Sequence, residues 1–112
     1  METQAAIAEP VRAALDELRG RLEAFYGPRL VRLVLFGSQA RGKGQLGSDI
    51  DVMVVLAPPV DPPSERARTL KDVAGVALRH GVAVCCVFVS RDDSEGQRSP
   101  LLMNVRREGV AV

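Results

Sequence analysis

The chain has 112 residues, with 15 Lys and Arg against 14 Asp and Glu, so its net charge is +1. This length is typical of one domain, and we predict a single domain over residues 1–112. The balanced charge and an aromatic content of 4% argue against strong nucleic-acid binding. The longest apolar run, Val82–Val89, is well short of the about 20 residues that a membrane span needs, so we expect no membrane association.

Two adjacent cysteines, Cys85 and Cys86, lie within that apolar run. Neighbouring side chains of a strand point to opposite faces, so these two should not form a disulfide with each other. Cysteine in such a setting usually packs as a small buried hydrophobe, and we expect both in the core. Free cysteines and the lack of a secretory signal pattern favour a reducing, cytoplasmic location.

The first half of the chain predicts a helix and two strands. Apolar residues recur every three or four positions over 9–25, which predicts a helix ended by Gly27-Pro28. A β-rich run predicts a strand at 30–36, and a glycine-rich basic loop follows at 37–48. The next strand is predicted at 49–56, with Ile50, Val52, Val54 and Leu56 on one face and Asp49, Asp51, Met53 and Val55 on the other.

The second half predicts two more helices and a third strand. After a proline-rich connection, Ser64 is a candidate N-cap for a helix that ends at His80-Gly81. Strand 82–89 is apolar throughout and is expected to be buried on both faces. A polar loop is predicted at 90–98, then a helix at 100–108 capped by Ser99, then a short tail. The fold class is therefore α/β (mixed α+β), a sheet of about three strands with helices packed on it.

Asp49 and Asp51 are the first candidate site residues. Residues two apart on a strand are about 7 Å apart and share a face, so two negative charges should lie side by side. Carboxylate oxygens of this kind suit Mg²⁺ or Mn²⁺, which would relieve the repulsion. An Asp-x-Asp pair taken alone is more often two solvated aspartates at a strand edge.

Gly37-Ser38 strengthens the case for a site, because it falls where strand 30–36 ends. Free backbone N–H groups and a serine hydroxyl at that point form an anion site, and Arg41 and Lys43 add positive charge to the loop. If the two strands are neighbours, a phosphate site and a metal-binding pair meet. Phosphoryl and nucleotidyl transfer need this combination.

These residues also match a family signature. Gly37-Ser38, ten residues, then Asp49-Ile50-Asp51 is the pattern GS-x10-DxD, and the stretch from GSQARG to SDIDVMVV resembles the minimal (MNT-type) nucleotidyltransferases of the DNA polymerase beta superfamily. The resemblance implies a polymerase-beta-like nucleotidyltransferase core. It implies that Asp49 and Asp51 are catalytic and hold Mg²⁺ or Mn²⁺, and that Gly37 and Ser38 bind the terminal phosphates of an NTP such as ATP. Arg41 matches the usual arginine of the family, which implies either a contact with substrate or a structural tie to the loop or to the carboxylates.

The chain departs from this family at one point. Catalytic members usually carry a third carboxylate on a later strand, whereas the third strand here reads VAVCCVFV and holds no acid. The position falls between Ala83 and Cys86, and a thiolate there is too soft to ligate Mg²⁺ well. Asp92 and Asp93 follow the strand and are expected to lie too far along it.

The resemblance implies transfer of NMP, expected to be AMP, to a hydroxyl on a partner protein. Small family members are similar to the antitoxins of HEPN-domain toxins, so a HEPN partner or a second copy of the chain is expected. Two alternatives remain: a catalytically degenerate protein that binds nucleotide and neutralises a partner, and an antibiotic nucleotidyltransferase. Some apolar surface near Leu101, Leu102, Met103 and Val105 is expected to remain exposed for a partner.

Overall fold

The computed structural model describes residues 9–37, 49–96 and 99–112. The helices are α1 (Glu9–Tyr26), α2 (Pro62–His80), α3 (Arg91–Gly96) and α4 (Pro100–Glu108), with a 3-10 turn at Gly27–Arg29 after α1. The strands are β1 (Leu30–Phe36), β2 (Ile50–Leu56), β3 (Val84–Ser90) and β4 (Val110–Ala111). Within these ranges, no helix is both long enough and apolar enough to cross a membrane.

The strands form one mixed sheet in the order β3-β2-β1-β4. β1 is antiparallel to β2 and to β4, whereas β2 and β3 are parallel and joined by α2. The predicted mixed α/β class is confirmed, with one strand more than expected. The extra strand, β4, is formed by the predicted tail. Its Val110 pairs with Leu35 of β1. The Val112 N–H then donates to the Leu33 carbonyl at 3.0 Å.

The main core lies between one face of the sheet and helices α1 and α2. The alternate residues of β2 that were predicted to share a face are all fully buried there. The apolar stripe of α1 covers them, as its spacing predicted. The buried residues of that stripe are Val11, Ala14, Leu15, Leu18 and Leu22.

A smaller core covers part of the opposite face. Met53 and Val55 of β2 pack there against Leu102 and Val105 of α4. The predicted cap of α4 is confirmed, since the Leu102 N–H donates to the Ser99 Oγ at 3.1 Å. Leu102 and Val105 are therefore buried, and only Leu101 and Met103 of the predicted apolar patch are exposed.

Several predicted boundaries were wrong, and β3 also runs over Val84–Ser90 where strand 82–89 was predicted. α2 begins at Pro62 with Asp61 as its N-cap, so Ser64 lies inside its first turn and does not cap it. β2 begins at Ile50, which leaves Asp49 just before the strand. The predicted loop 90–98 contains α3, whose start is fixed by the Asp93 N–H donating to the Ser90 Oγ at 3.1 Å.

The prediction that β3 is buried on both faces was also wrong. In the described part of the chain β3 pairs with β2 alone, so its outer edge is open. Cys85 is exposed and Cys86 half-buried, and the expected burial of both cysteines in the core is not found. An apolar sequence does not reveal whether a strand is central or at an edge, since that depends on which strands pair.

Glu65 is a buried carboxylate that connects α1, the 3-10 turn and α2. Its side chain accepts a hydrogen bond from Tyr26 Oη at 2.9 Å. Arg29 Nη2 lies 3.5 Å and Arg68 Nη1 3.6 Å from its oxygens. A buried charge needs such partners, because leaving it unpaired costs much more than a neutral group does.

We predict that Tyr26→Phe destabilises the protein, because Glu65 loses its shortest hydrogen bond while remaining buried. The free energy of unfolding should fall by about 1–3 kcal/mol, measured by urea denaturation. Asp16→Asn is the control, at an exposed position of α1. Equal stability of the two variants would show that the Tyr26 hydroxyl does not stabilise Glu65.

Candidate functional site

The end of β1 and the start of β2 lie side by side, as the sequence predicted for neighbouring strands. Phe36, the last residue of β1, is the antiparallel partner of Asp51, the second residue of β2. Asp51 shares its face of β2 with Met53 and Val55, away from the main core. Asp49 is exposed just before the strand. The two aspartates therefore lie where the chain leaves β1.

Glycine suits position 37 for two reasons, its backbone conformation and the closeness of the Asp51 side chain. Its φ is +80°, in the left-handed region that favours glycine. A Cβ at this position would lie 2.6 Å from the Asp51 Oδ2, so the carboxylate occupies the space of a side chain. The predicted phosphate-site glycine and the predicted metal-binding aspartate are thus in direct proximity.

The electrostatics of the pair favour a bound cation. Burial raises the pKa of Asp51 above its usual value, and the charge of Asp49 raises it further. In the described residues, no basic side chain forms an ion pair with either carboxylate. Two neighbouring carboxylates provide the hard oxygen donors that Mg²⁺ and Mn²⁺ prefer. The donor set therefore fits a divalent cation.

Cys85 is the residue of β3 beside Asp51. The parallel register pairs Asp51 with Cys85, and paired residues of neighbouring strands point to the same face. Of the residues from Ala83 to Cys86, Cys85 is thus the one that lies beside Asp51. Cys86 points to the opposite face, where burial raises the pKa of its thiol to about 12. No group of three or more His, Cys, Asp and Glu among the described residues is arranged to hold a metal ion.

Asp92 and Asp93 do not take the place of the missing acid. Parallel pairing sets Asp51 beside the start of β3 and Leu56 beside its last residue, Ser90. The two aspartates follow Ser90 in α3, so they lie at the far end of the strand, as expected. Ser38, Arg41 and Lys43 lie outside the described residues, and their proposed roles stay predictions.

A cavity of about 230 Å³ opens on the same face of the sheet as Asp51. Met53, two residues along β2 from Asp51, forms part of its floor, and Leu102 and Val105 of α4 form an apolar wall. Arg32 and Glu95 line its rim and form an ion pair at 3.3 Å. Sequence reasoning missed this cavity, because it depends on how α3 and α4 close over the sheet.

Residues 15–98 match the family model described as a nucleotidyltransferase domain. The matched segment contains Gly37, Asp49, Asp51 and Cys85. It begins within α1 and ends after α3. Most of the described fold thus lies inside the matched region.

A sequence relative is the Methanocaldococcus jannaschii protein named Putative protein adenylyltransferase MJ1305. It is 29% identical to this chain over 93 residues. The match covers 81% of this chain, and the chain spans 63% of the length of the curated relative.

Two crystal structures share the fold. A toxin-antitoxin with AMP-PNP superposes with a TM-score of 0.60 at 22% identity, covering 84% of this chain and 68% of that chain. A mutant of the toxin-antitoxin MntA-HpeT gives a TM-score of 0.57 at 22% identity, covering 87% of this chain and 70% of that chain.

We predict that Asp49→Asn lowers the pKa of Asp51 partway toward its usual value, because one of two causes of the shift is removed and burial remains. Carboxyl-carbon NMR titration of the metal-free protein measures this directly. Asp16→Asn, an exposed change on α1, is the control and should leave the titration of Asp51 unchanged. An identical Asp51 titration in Asp49→Asn would mean that the two carboxylates do not interact.

Proposed function

The chain belongs to the nucleotidyltransferase domain family, and from this membership we propose that it transfers a nucleoside monophosphate, with AMP as the expected group, from an NTP to a hydroxyl of a partner protein. One observation carries the proposal: the Asp51 carboxylate lies against Gly37 at the end of β1, next to Asp49, with no counter-charge in the described residues. A phosphate-binding turn and a pair of hard oxygen ligands are the two parts that the reaction needs.

Each part has a defined role in the proposed reaction. Gly37 and Ser38 hold the β- and γ-phosphates, and Arg41 adds positive charge beside them. The acceptor hydroxyl oxygen bonds to the α-phosphorus, the bond from that phosphorus to the bridging oxygen breaks, and pyrophosphate leaves. The hydroxyl proton passes to solvent. Asp49 and Asp51 hold Mg²⁺ or Mn²⁺, which when bound neutralises the charge on the transferring phosphoryl group.

The choice of a protein acceptor follows from the relatives. The M. jannaschii protein is named a protein adenylyltransferase, and both structural neighbours are toxin-antitoxin proteins. One of these neighbours was crystallised with AMP-PNP, which supports ATP as the nucleotide. We therefore propose that the chain acts in a toxin–antitoxin pair, as the antitoxin of a HEPN-domain toxin. ATP and free thiols are both consistent with the cytoplasm.

The position of Cys85 favours a second candidate function. It lies beside Asp51 at the place where the third carboxylate of catalytic family members is expected. With only two carboxylates, the chain would bind nucleotide and neutralise its partner by contact, without turnover. A measurement of nucleotidyl transfer therefore distinguishes the two candidate functions.

We predict metal-dependent transfer of label from α-labelled ATP to a co-purified or co-expressed partner protein. The double variant Asp49→Asn with Asp51→Asn should lose about two orders of magnitude or more in rate, because the charge stabilisation that a bound metal supplies amounts to several kcal/mol. Asp16→Asn is the control and should retain the full rate. Unchanged transfer in the double variant would show that the two aspartates are not part of the catalytic site. Tight nucleotide binding by the wild type without any transfer would favour the second candidate function.

We also predict that Cys85→Asp increases Mg²⁺ affinity and transfer rate, because it places a third carboxylate beside Asp51. A gain of roughly tenfold corresponds to about 1.4 kcal/mol, which one added charge near a divalent cation readily supplies. Cys85→Asn is the matched control, with similar size and no charge. If both variants behave alike, position 85 does not border the metal.

A further inference from the structure

The cavity of about 230 Å³ lies in line with the proposed site along β1 and β2. Val34 and Met53 are antiparallel partners in the row of residues next to Asp51, and both line the cavity. Successive rows on one face of a sheet are about 7 Å apart along the strands. Gly37 lies on the other side of Asp51 from this row, at the end of β1. The predicted phosphate-binding turn, the aspartate and the cavity therefore follow one another along the two strands.

The cavity has an apolar interior and a charged rim. Met53, Leu102 and Val105 line it and are buried. At the rim, Arg32 Nη2 lies 3.3 Å from Glu95 Oε2, so N–H donors stand beside a carboxylate acceptor. Sites for small molecules typically combine apolar walls with a few polar groups that fix the orientation of the ligand.

Helix α4 forms the roof of the cavity. Arg106 Nη1 donates to the Ser94 carbonyl of α3 at 2.7 Å. Leu102 and Val105 of the same helix pack with Met53 of the sheet. α4 is therefore held both to α3 and to the sheet, and the space between helix and sheet suits a flat ring better than a protein segment.

We propose that this cavity binds the nucleoside of the NTP, with the base between α4 and the sheet. The inference rests on the function proposed above, in which the terminal phosphates lie at Gly37 and the transferred phosphoryl group lies at Asp51. The ribose, joined to that phosphoryl group through its 5′ oxygen, spans the row between Asp51 and the cavity. Adenine presents an amino donor and ring-nitrogen acceptors. Glu95 accepts from the amino group, and Arg32 donates to a ring nitrogen.

The acceptor is the other group that must approach the transferred phosphoryl group, and it fits the cavity less well. It belongs to a protein in the proposed function, so it needs an approach wide enough for a protein segment. Cys85 lies on the opposite side of Asp51 from β1 and is exposed, which gives such an approach. The lining of the cavity also includes two guanidinium groups, of Arg32 and Arg106, against the one carboxylate of Glu95. This positive excess suits a ligand that carries phosphates.

Methyl NMR of the wild-type chain with ATP and Mg²⁺ locates the base directly. Nuclear Overhauser effects should connect the adenine H2 or H8 proton to the methyl groups of Leu102 and Val105. Bound ATP without any such effect would overturn the proposal. Shifts of these methyl groups that occur only when a partner protein is added would assign the cavity to the acceptor, and would overturn it as well.

A steric substitution tests the cavity by affinity. Ala111 is exposed on β4 and lines the cavity, so the ring of Ala111→Phe should fill the space that the base needs. Calorimetry with Mg²⁺ should show ATP affinity reduced roughly tenfold or more, as expected when a group that fills an apolar pocket is blocked. Binding of tripolyphosphate, which has no nucleoside, should be unchanged and shows that the variant is folded. Met103→Phe introduces the same ring on α4, at a side chain that is 51% exposed and outside the cavity, and should bind ATP like the wild type.

Tripolyphosphate also separates failure of this inference from failure of the proposed function. If the wild type binds ATP and tripolyphosphate equally well, the phosphate and metal site stands and the nucleoside cavity is overturned. If it binds neither, the proposed function falls and the cavity assignment falls with it. A loss of ATP affinity in Met103→Phe as large as that in Ala111→Phe would also overturn the assignment.

Discussion

The pairing of β1 with β2 is the constraint on which the site depends. It places Phe36 opposite Asp51, so the chain leaves β1 at Gly37 directly against a carboxylate. Because side chains alternate along a strand, the same register buries Ile50 and Val52 on the helix side. A slip of one residue would move Asp51 into the main core. The apolar residues of β2 therefore fix the direction of its aspartate.

The sequence predicted the elements that depend on local pattern. The stripe of α1, the run of β1 and the Ser99 cap of α4 all follow from spacing and capping chemistry, and the structure confirms them. The pattern GS-x10-DxD names Gly37 and Asp51 together, and antiparallel pairing of the flanking strands brings these two residues side by side. These features could be predicted because the residues that determine each of them lie close together in the sequence.

The features that could not be predicted depend on pairing between distant segments. The burial of β3 was predicted wrongly, because an apolar strand at an edge has the same sequence pattern as a central one. The neighbour of Asp51 could not be chosen among Ala83 to Cys86, because the parallel register is set by α2 and by packing. The strand β4 is only two residues long and exists because β1 has a free edge for it.

β3 borders the proposed metal site and forms one edge of the described sheet. Its inner edge sets Cys85 beside Asp51, and its outer edge has no strand beside it in the described chain. A partner that covered Cys85 would also remove water from the neighbourhood of the carboxylates, and burial already raises the pKa of Asp51. Burial of this end of the sheet would therefore favour the proposed cation binding by the two aspartates, because a drier site holds a carboxylate pair less readily unless a cation accompanies it.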